Sequence, residues 1–287
     1  MCEDSFLLIN TLQYPQFHLQ GNHLLANAKA LVFAGLFFKA DEARTWLVKG
    51  LEILDREMKE QILPDGGHFE LSPMYHSLVM EDFLDLVNIM RTYPDALPEA
   101  FAHLPAQLEK TALKMGAWIN VMRHPDGEIS FFNDTALGVA PRPDEIFNYL
   151  DRLGLPDCPM PGNGITALEH SGYIRMAMGS VVIIFDCAPV GPSYQPGHAH
   201  ADTLSFEMSF MGSCLMVNSG TSCYGKTQER MRQRSTAAHN TVEIAGKSSS
   251  EVWASFRVGR RAKPYDLLLY DGEDSLIAAC SHDGYSR

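Results

Sequence analysis

From Asn22 to about Arg123 the apolar residues recur every three to four positions, the spacing that gathers them on one face of a helix. Leu24, Leu25, Ala28, Leu31, Val32, Gly35 and Leu36 share one such face, and Trp46, Leu47, Leu51, Leu54, Met58 and Ile62 share another. Tyr75 to Met90 and Leu104 to Met122 keep the same period. They are set off by Pro64-Asp65-Gly66-Gly67 and Tyr93-Pro94-Asp95, both turn chemistry. The amino half therefore reads as all-α hairpins, with the charge run Glu57 to Glu60 as a solvated helix face. Between Pro125 and Gly164 the chain turns rich in Pro, Gly and Asp around one short helical stretch, Asp144 to Leu153, which is the composition of a linker between domains. After Gly172 the period drops to two. Leu204, Phe206, Met208 and Phe210 alternate with Ser205, Glu207 and Ser209, and Val181 to Phe185 is short and β-branched. Further strands are predicted at Leu215 to Asn218, Thr241 to Ala245, Leu267 to Tyr270 and Leu276 to Ala279, which makes the carboxyl half antiparallel β.

A chain of 287 residues bounds this at one or two domains. With 46% hydrophobic and 20% charged residues it is globular rather than disordered or fibrous. Its 23 Lys and Arg against 35 Asp and Glu leave a net charge of −12, which repels nucleic acid and anionic membrane. The longest apolar run, Ala30 to Phe38, is too short to cross a bilayer and follows no basic region, so neither a signal peptide nor a transmembrane helix is predicted. The six cysteines show no CxxC spacing, which excludes a zinc ribbon and a dithiol redox motif and gives no disulfide framework.

The densest polar cluster, Pro196 to Asp202, stands just before the alternating strand and puts His198 and His200 on one face. Such a pair binds metal, moves protons, or is a solvated loop. His239 precedes another predicted strand. Two strands of one sheet could join it to His200, and two imidazoles plus an oxygen ligand make a zinc site, whereas a core histidine bonded to backbone fits the same spacing. Gly21-Asn22-His23 opens the first helix, where Asn22 also suits an N-cap. Asp65 to His76 gathers a carboxylate, two histidines and Tyr75 beside a turn that leads into a helix, as a concave site would. These residue types suit β-elimination from a uronic acid. Neutral donors such as an Asn amide and an imidazole stabilise charge moving onto the substrate carboxylate, while Tyr or His takes the C5 proton and protonates the leaving oxygen. Hydrolysis of a glycoside would want two facing carboxylates, but here Glu70 and Asp202 sit beside Tyr and His.

In these segments the chain resembles the heparinase II/III family of polysaccharide lyases. The likeness lies in Gly21-Asn22-His23, in Ser72-Pro73-Met74-Tyr75-His76, and in Gly197 to Gly220, Arg234 to Glu243 and Glu251 to Arg261, which look like the family's HxHxD, RSTxxHNT and FRxGRR segments. The resemblance implies a multidomain fold: an incomplete (α/α) toroid over residues 1–165, then an antiparallel β-sandwich over 166–287, with the saccharide between them. It implies that Asn22 and His23 bind the uronate carboxylate, that Tyr75 is the general acid and a candidate base, and that His198 is the partner base or carboxylate neutraliser. Glu70, His76, Arg234 and Asn240, in the same segments, are the expected substrate-binding residues. A structural zinc of the sandwich would fall on His200, Asn218 and His239, although Asn218 replaces the family's Asp with a weaker amide ligand. No organic cofactor is implied. Toroids of this kind carry more helices before Gly21 and their sandwiches more strands after Gly284, so the chain reads as an internal piece of a longer protein. The resemblance implies a periplasmic or secreted site of action, with the cytoplasm open for want of a signal peptide.

The implied partner is an acidic polysaccharide: a heparan-like glycosaminoglycan, alginate, or a bacterial capsular or O-antigen uronan. A polyanion meeting a chain of charge −12 needs a local basic groove, for which Arg230, Arg232, Arg234, Arg257, Arg260 and Arg261 are candidates, with fold-stabilising ion pairs as their other reading. Two further functions compete. One is a polysaccharide-binding or assembly protein without turnover, and the other a metal-dependent hydrolase built on His198, His200 and His239.

Overall fold

The computed structural model describes residues 21–286. Helices α1 (Asn22–Phe37) and α2 (Asp41–Gln61) form an antiparallel hairpin whose facing sides bury Leu25, Leu31 and Val32 against Leu47, Leu51 and Leu54. Glycine allows this closeness: a Cβ on Gly50 would stand 2.9 Å from the Ala28 carbonyl oxygen. Helices α3 (Pro73–Thr92), α4 (Leu104–Met122) and α5 (Pro143–Arg152) complete the helical half. Glu57 corrects the solvated-face expectation. It is buried, accepting from Gln61 Nε2 at 2.9 Å and Arg56 Nε at 2.7 Å, because a carboxylate with two donors can leave water. Among the described residues no helix is long and apolar enough to cross a membrane, and the five described cysteines are free thiols, Cys2 lying outside them.

The β half is built on an antiparallel sheet ordered β1 (Gly164–Leu168), β2 (Tyr173–Met178), β3 (Val181–Asp186), β4 (Phe206–Phe210) and β5 (Ser213–Met216). The pairs β6 (Val252–Trp253) with β7 (Arg257–Val258), and β8 (Pro264–Asp271) with β9 (Leu276–His282), are separate two-stranded ribbons. Period-two patterning located β3, β4, β8 and β9 but missed the short helix α6 (Gln228–Arg234). Thr241 to Ala245 is not a strand. It has no ladder neighbour beyond one Ile244–Lys247 bridge, so Val242 and Ile244 stay exposed. In β4 the polar face is the buried one. Glu207 and Ser209 point inward because His124 reaches both, with Nε2 2.7 Å from Glu207 Oε2 and Nδ1 2.6 Å from Ser209 Oγ.

The stretch read as a linker is a wedge. Ile129, Ser130, Phe132, Asn133, Asp134 and Thr135 are buried between the halves, and the Pro, Gly and Asp residues there serve turns rather than flexibility. Phe131 N–H is tied to Glu207 Oε1 at 3.0 Å. Two further clamps cross the same boundary. Asp65 Oδ2 accepts from His170 N, Ser171 N and Ser171 Oγ at 2.7–2.9 Å, and Arg175 donates to the Val121 and Arg123 carbonyls at the end of α4. One apolar cluster accordingly runs from the helices into Leu168, Tyr173 and Ile184.

Beneath the sheet, Asp186 and Asp202 are both buried. Desolvation raises each carboxyl above its ordinary value; the neighbouring Asp202 pushes Asp186 further up, while His200 and backbone hydrogen bonds partly offset the rise at Asp202. A carboxyl raised in the folded state binds its proton more tightly there than in the unfolded chain, so its contribution to stability falls as pH rises from about 4 through the folded value. Asp186→Asn keeps an oxygen for the Ala188 N–H, now 2.8 Å from Oδ1, and removes one charge. It is expected to raise the melting temperature more at pH 8 than at pH 5. Differential scanning fluorimetry at both values checks this, and a larger gain at pH 5 would contradict it.

Candidate active site

Helix α1 begins one residue earlier than an Asn22 cap requires: Gly21 is its extended N-cap, with no side-chain cap, and Asn22 is the first helical residue. The missing cap comes from a distant segment, since Glu70 Oε1 accepts the Asn22 N–H at 3.2 Å. A Cβ on Gly21 would lie 2.5 Å from that oxygen, so glycine is needed for the approach. Gln61 Nε2 holds the Gly21 carbonyl at 3.1 Å. Asn22 and the exposed His23 therefore stand at a helix N-terminus, where the backbone dipole favours an anion.

Glu70 leads directly into the segment that carries Tyr75. Leu71 has a left-handed backbone (φ 58°), kept in place by Tyr173 Oη at 2.8 Å and Asn133 Nδ2 at 2.9 Å, both donating to its carbonyl. The turn delivers Ser72 to the N-cap of α3, where its Oγ accepts from Tyr75 N–H at 3.3 Å and donates to the Asp134 carbonyl at 2.6 Å. Tyr75 emerges half-buried with its ring centroid 3.9 Å from that of His198. Its hydroxyl donates to Tyr224 Oη at 3.1 Å, and Tyr224 lies parallel to Phe256 at 5.9 Å. Both outer rings are exposed, with the Arg230 guanidinium 5.2 and 5.4 Å from their centroids. Burial, then the bond to Tyr224, pushes the Tyr75 phenol well above its ordinary value, which keeps the hydroxyl protonated.

His198 sits between two carboxyls. Its Nδ1 is 2.9 Å from Asp134 Oδ2 and its Nε2 is 3.5 Å from Glu70 Oε2. Burial raises Glu70 above its ordinary range, opposed by His198 and by the Asn22 N–H, and Oε2 makes no hydrogen bond. For Asp134, burial alone would raise the carboxyl, but hydrogen bonds from His198, His200 and Arg230 outweigh it and hold the group ionised, well below the usual carboxylate range.

The geometry thus brings Asn22, Glu70, Tyr75 and His198 together and corrects three expected substrate contacts. His76 is fully buried: Nδ1 accepts from His68 N–H, Nε2 donates to the Met115 carbonyl, both at 3.1 Å, and the ring stacks on Trp118 at 4.3 Å. Desolvation lowers it to about 3, so it is a neutral tie between α3 and α4. Arg234 is buried on the Ala199, Ala254 and Arg257 carbonyls. Asn240 Nδ2 donates to the Phe206 carbonyl at 3.0 Å and so anchors a loop. Of the six candidate groove arginines, Arg257 is exposed and the other five are engaged within the fold. Arg230 faces Asp134, Arg232 faces Glu229, Arg260 caps Gly284 and Arg261 holds the Val190, Pro192 and Ser193 carbonyls. Asp134, Tyr224 and Phe256 were missed by sequence reasoning. The one signal for Asp134 was the apolar Ile129, Phe131 and Phe132 just before it in a supposed linker.

A zinc on His200, Asn218 and His239 does not fit these residues. His200 Nδ1 and His239 Nε2 are 3.2 Å apart and satisfy each other, His200 Nε2 is spent on Asp134 at 2.8 Å, and Asn218 Oδ1 accepts from Asn240 N–H at 3.2 Å. Among the described residues no group of three His, Cys, Asp or Glu is disposed to hold a metal. Dialysis against a chelator is expected to move the melting temperature by less than about 1 °C. A drop of several degrees, reversed by zinc, would restore the metal.

Comparison with known proteins agrees with this architecture. Residues 8–148 match the heparinase II/III N-terminus and residues 160–287 the heparinase II/III-like C-terminal region. The chain is 29% identical to the heparin-sulfate lyase of Bacteroides stercoris, covering 81% of this chain and 37% of that protein. It is 26% identical to FtsZ-localized protein C of Caulobacter vibrioides, over 92% and 44% respectively. The crystal structure of heparinase III superposes with a TM-score of 0.76 at 20% identity, covering 99% of this chain and 46% of that one. For heparan sulfate lyase HepC of Pedobacter heparinus the TM-score is 0.67 at 20% identity, over 99% and 44%. The chain thus spans less than half the length of the relatives it matches. With both the amino-terminal and carboxyl-terminal descriptions of one family matched in order, and the helical-then-β fold shared, the chain belongs to the heparinase II/III-like family.

Proposed function

We propose that the chain holds the active site of a polysaccharide lyase that cleaves a uronic-acid-containing polysaccharide by β-elimination, with glycosaminoglycans the first class to test. The observation that supports this most is the Tyr75–His198 pair, 3.9 Å between rings, in which the phenol is kept protonated while His198 Nδ1 is committed to Asp134. Asn22 and His23 at the α1 N-terminus take the uronate carboxylate and stabilise charge as it moves there. His198 Nε2 removes the C5 proton, the C4–O bond breaks as the C4=C5 bond forms, and the leaving oxygen takes the proton of Tyr75. Transfer of the captured proton from His198 back to Tyr75 resets the pair. Tyr224 and Phe256 offer flat faces for sugar rings beside it.

The likeness to an FtsZ-localized protein supports a second reading, an assembly protein that binds a glycan without turnover. One experiment separates the two. Incubating the full-length protein with heparan sulfate, heparin, alginate and bacterial uronans should produce the ultraviolet absorbance of unsaturated uronate with at least one of them, and a polymer whose carboxyls are reduced to alcohols should be inert. Retention of a polymer without new absorbance supports the binder, and cleavage of the reduced polymer at the native rate supports hydrolysis.

A further inference from the structure

We propose that Asp134 is the positioning residue of this site, fixing which nitrogen of His198 is free and tying His198 to the start of the Tyr75 helix. The proposal rests on the reading of His198 as the base. A carboxylate offers about four acceptor positions, and here all four are filled. Oδ2 receives His198 Nδ1 at 2.9 Å and Arg230 Nη2 at 2.7 Å, while Oδ1 receives His200 Nε2 at 2.8 Å and Arg230 Nη1. A group so filled cannot turn, and an ionised carboxylate only accepts, so His198 carries its hydrogen on Nδ1 and leaves Nε2 bare on the side of Glu70 Oε2, 3.5 Å away.

The main chain of the same residue makes the other ties. Asp134 N–H donates to the His198 carbonyl at 3.1 Å, and its own carbonyl accepts from Ser72 Oγ, the cap of the helix that presents Tyr75. One residue therefore sets both the tilt of His198 and its height relative to Tyr75. His200 and His239 take part in the same arrangement. With Nε2–H given to Asp134, His200 has a bare Nδ1 that accepts from His239 Nε2–H at 3.2 Å. The imidazole pair that suggested a metal is instead a hydrogen-bonded prop behind the carboxylate.

The test uses the full-length protein labelled with 15N-histidine. At about pH 8 the long-range nitrogen–proton spectrum should show His198, identified by its loss in His198→Gln, as the Nδ1–H tautomer. Asp134→Asn should shift it toward Nε2–H, and should lower kcat by roughly 100-fold to 10,000-fold with KM changed less than about threefold. In a His198→Ala background, adding Asp134→Asn should slow turnover by no more than about twofold, because a residue acting through His198 has nothing left to position. A role in folding alone would multiply the two losses and overturn the proposal, as would an unchanged tautomer in Asp134→Asn. If that variant does not fold, the wild-type spectrum still decides, since an Nε2–H His198 refutes the assignment. If no uronan is cleaved by the wild type, the spectral arm stands apart from the failure of the lyase reading.

Discussion

Tyr75→Phe is expected to lower turnover on a cleavable uronan by roughly 100-fold to 10,000-fold while leaving the fold intact. The substitution keeps the ring that lies against His198 at 3.9 Å and deletes one oxygen, whose only bond among the described residues is the 3.1 Å contact with Tyr224. Losing a half-buried hydrogen bond costs about 0.5–1.5 kcal/mol of stability, far from enough to unfold the chain. In the proposed reaction the Tyr75 proton moves only as the C4–O bond breaks, so kcat and kcat/KM should fall together. Steady-state kinetics with a thermal melt on the same sample checks both halves. Retention of more than about a tenth of the wild-type rate would move the acid role to Tyr224, the neighbouring hydroxyl.

Arg230→Ala should produce the largest loss of stability. The guanidinium is buried against Asp134 with both terminal nitrogens engaged, and it also reaches the Ser255 carbonyl and Thr221. Removing one member of a buried ion pair strands the other, which costs about 3–5 kcal/mol. The pH dependence follows from Asp134, whose carboxyl is held below its ordinary value. Its stabilising contribution is present above the unfolded value near 4 and is lost as pH falls toward the folded one. The gap between wild type and variant in urea midpoint should therefore stay wide from pH 8 down to about pH 4 and narrow only as the pH falls below that. A gap that is constant with pH would mean that the loss is packing alone.

Much of this site was legible because its parts lie at element starts, where sequence is most explicit. Gly21-Asn22-His23 opens α1, Ser72 and Pro73 mark the start of α3, and the histidine pair precedes β4. The 3.6-residue period found α1 to α4, since each buries one apolar face. What stayed hidden was decided by polar groups that partner across the fold. His76, Arg234 and Asn240 look functional by residue type, yet each is tied by hydrogen bonds to segments far away in the chain, and Glu57 is held out of water by its neighbours Arg56 and Gln61. Asp134 was hidden for the opposite reason. Its neighbours Pro125, Gly127 and Asp126 carry the composition of a flexible connection, and only the burial of Ile129 and Phe132 reveals that the segment is fixed. In β4 the period was readable but not the face, because His124 makes the polar side the inner one.

The wedge at residues 129–135 also decides how such proteins can be recombined. A chimera joining the helical part of one family member to the sandwich of another would be cut, on composition, in the Pro- and Gly-rich stretch after Pro125. A junction at 125 takes the wedge from the sandwich donor, so Asp134 arrives with its own His198, His200 and Arg230, but the Ser72 it must receive is foreign. A junction near 160 keeps Asp134 with Ser72 and instead divides it from both histidines and the arginine. The first cut breaks one hydrogen bond of the set and the second breaks the whole carboxylate shell, so functional hybrids should accumulate with crossovers before the wedge rather than after it.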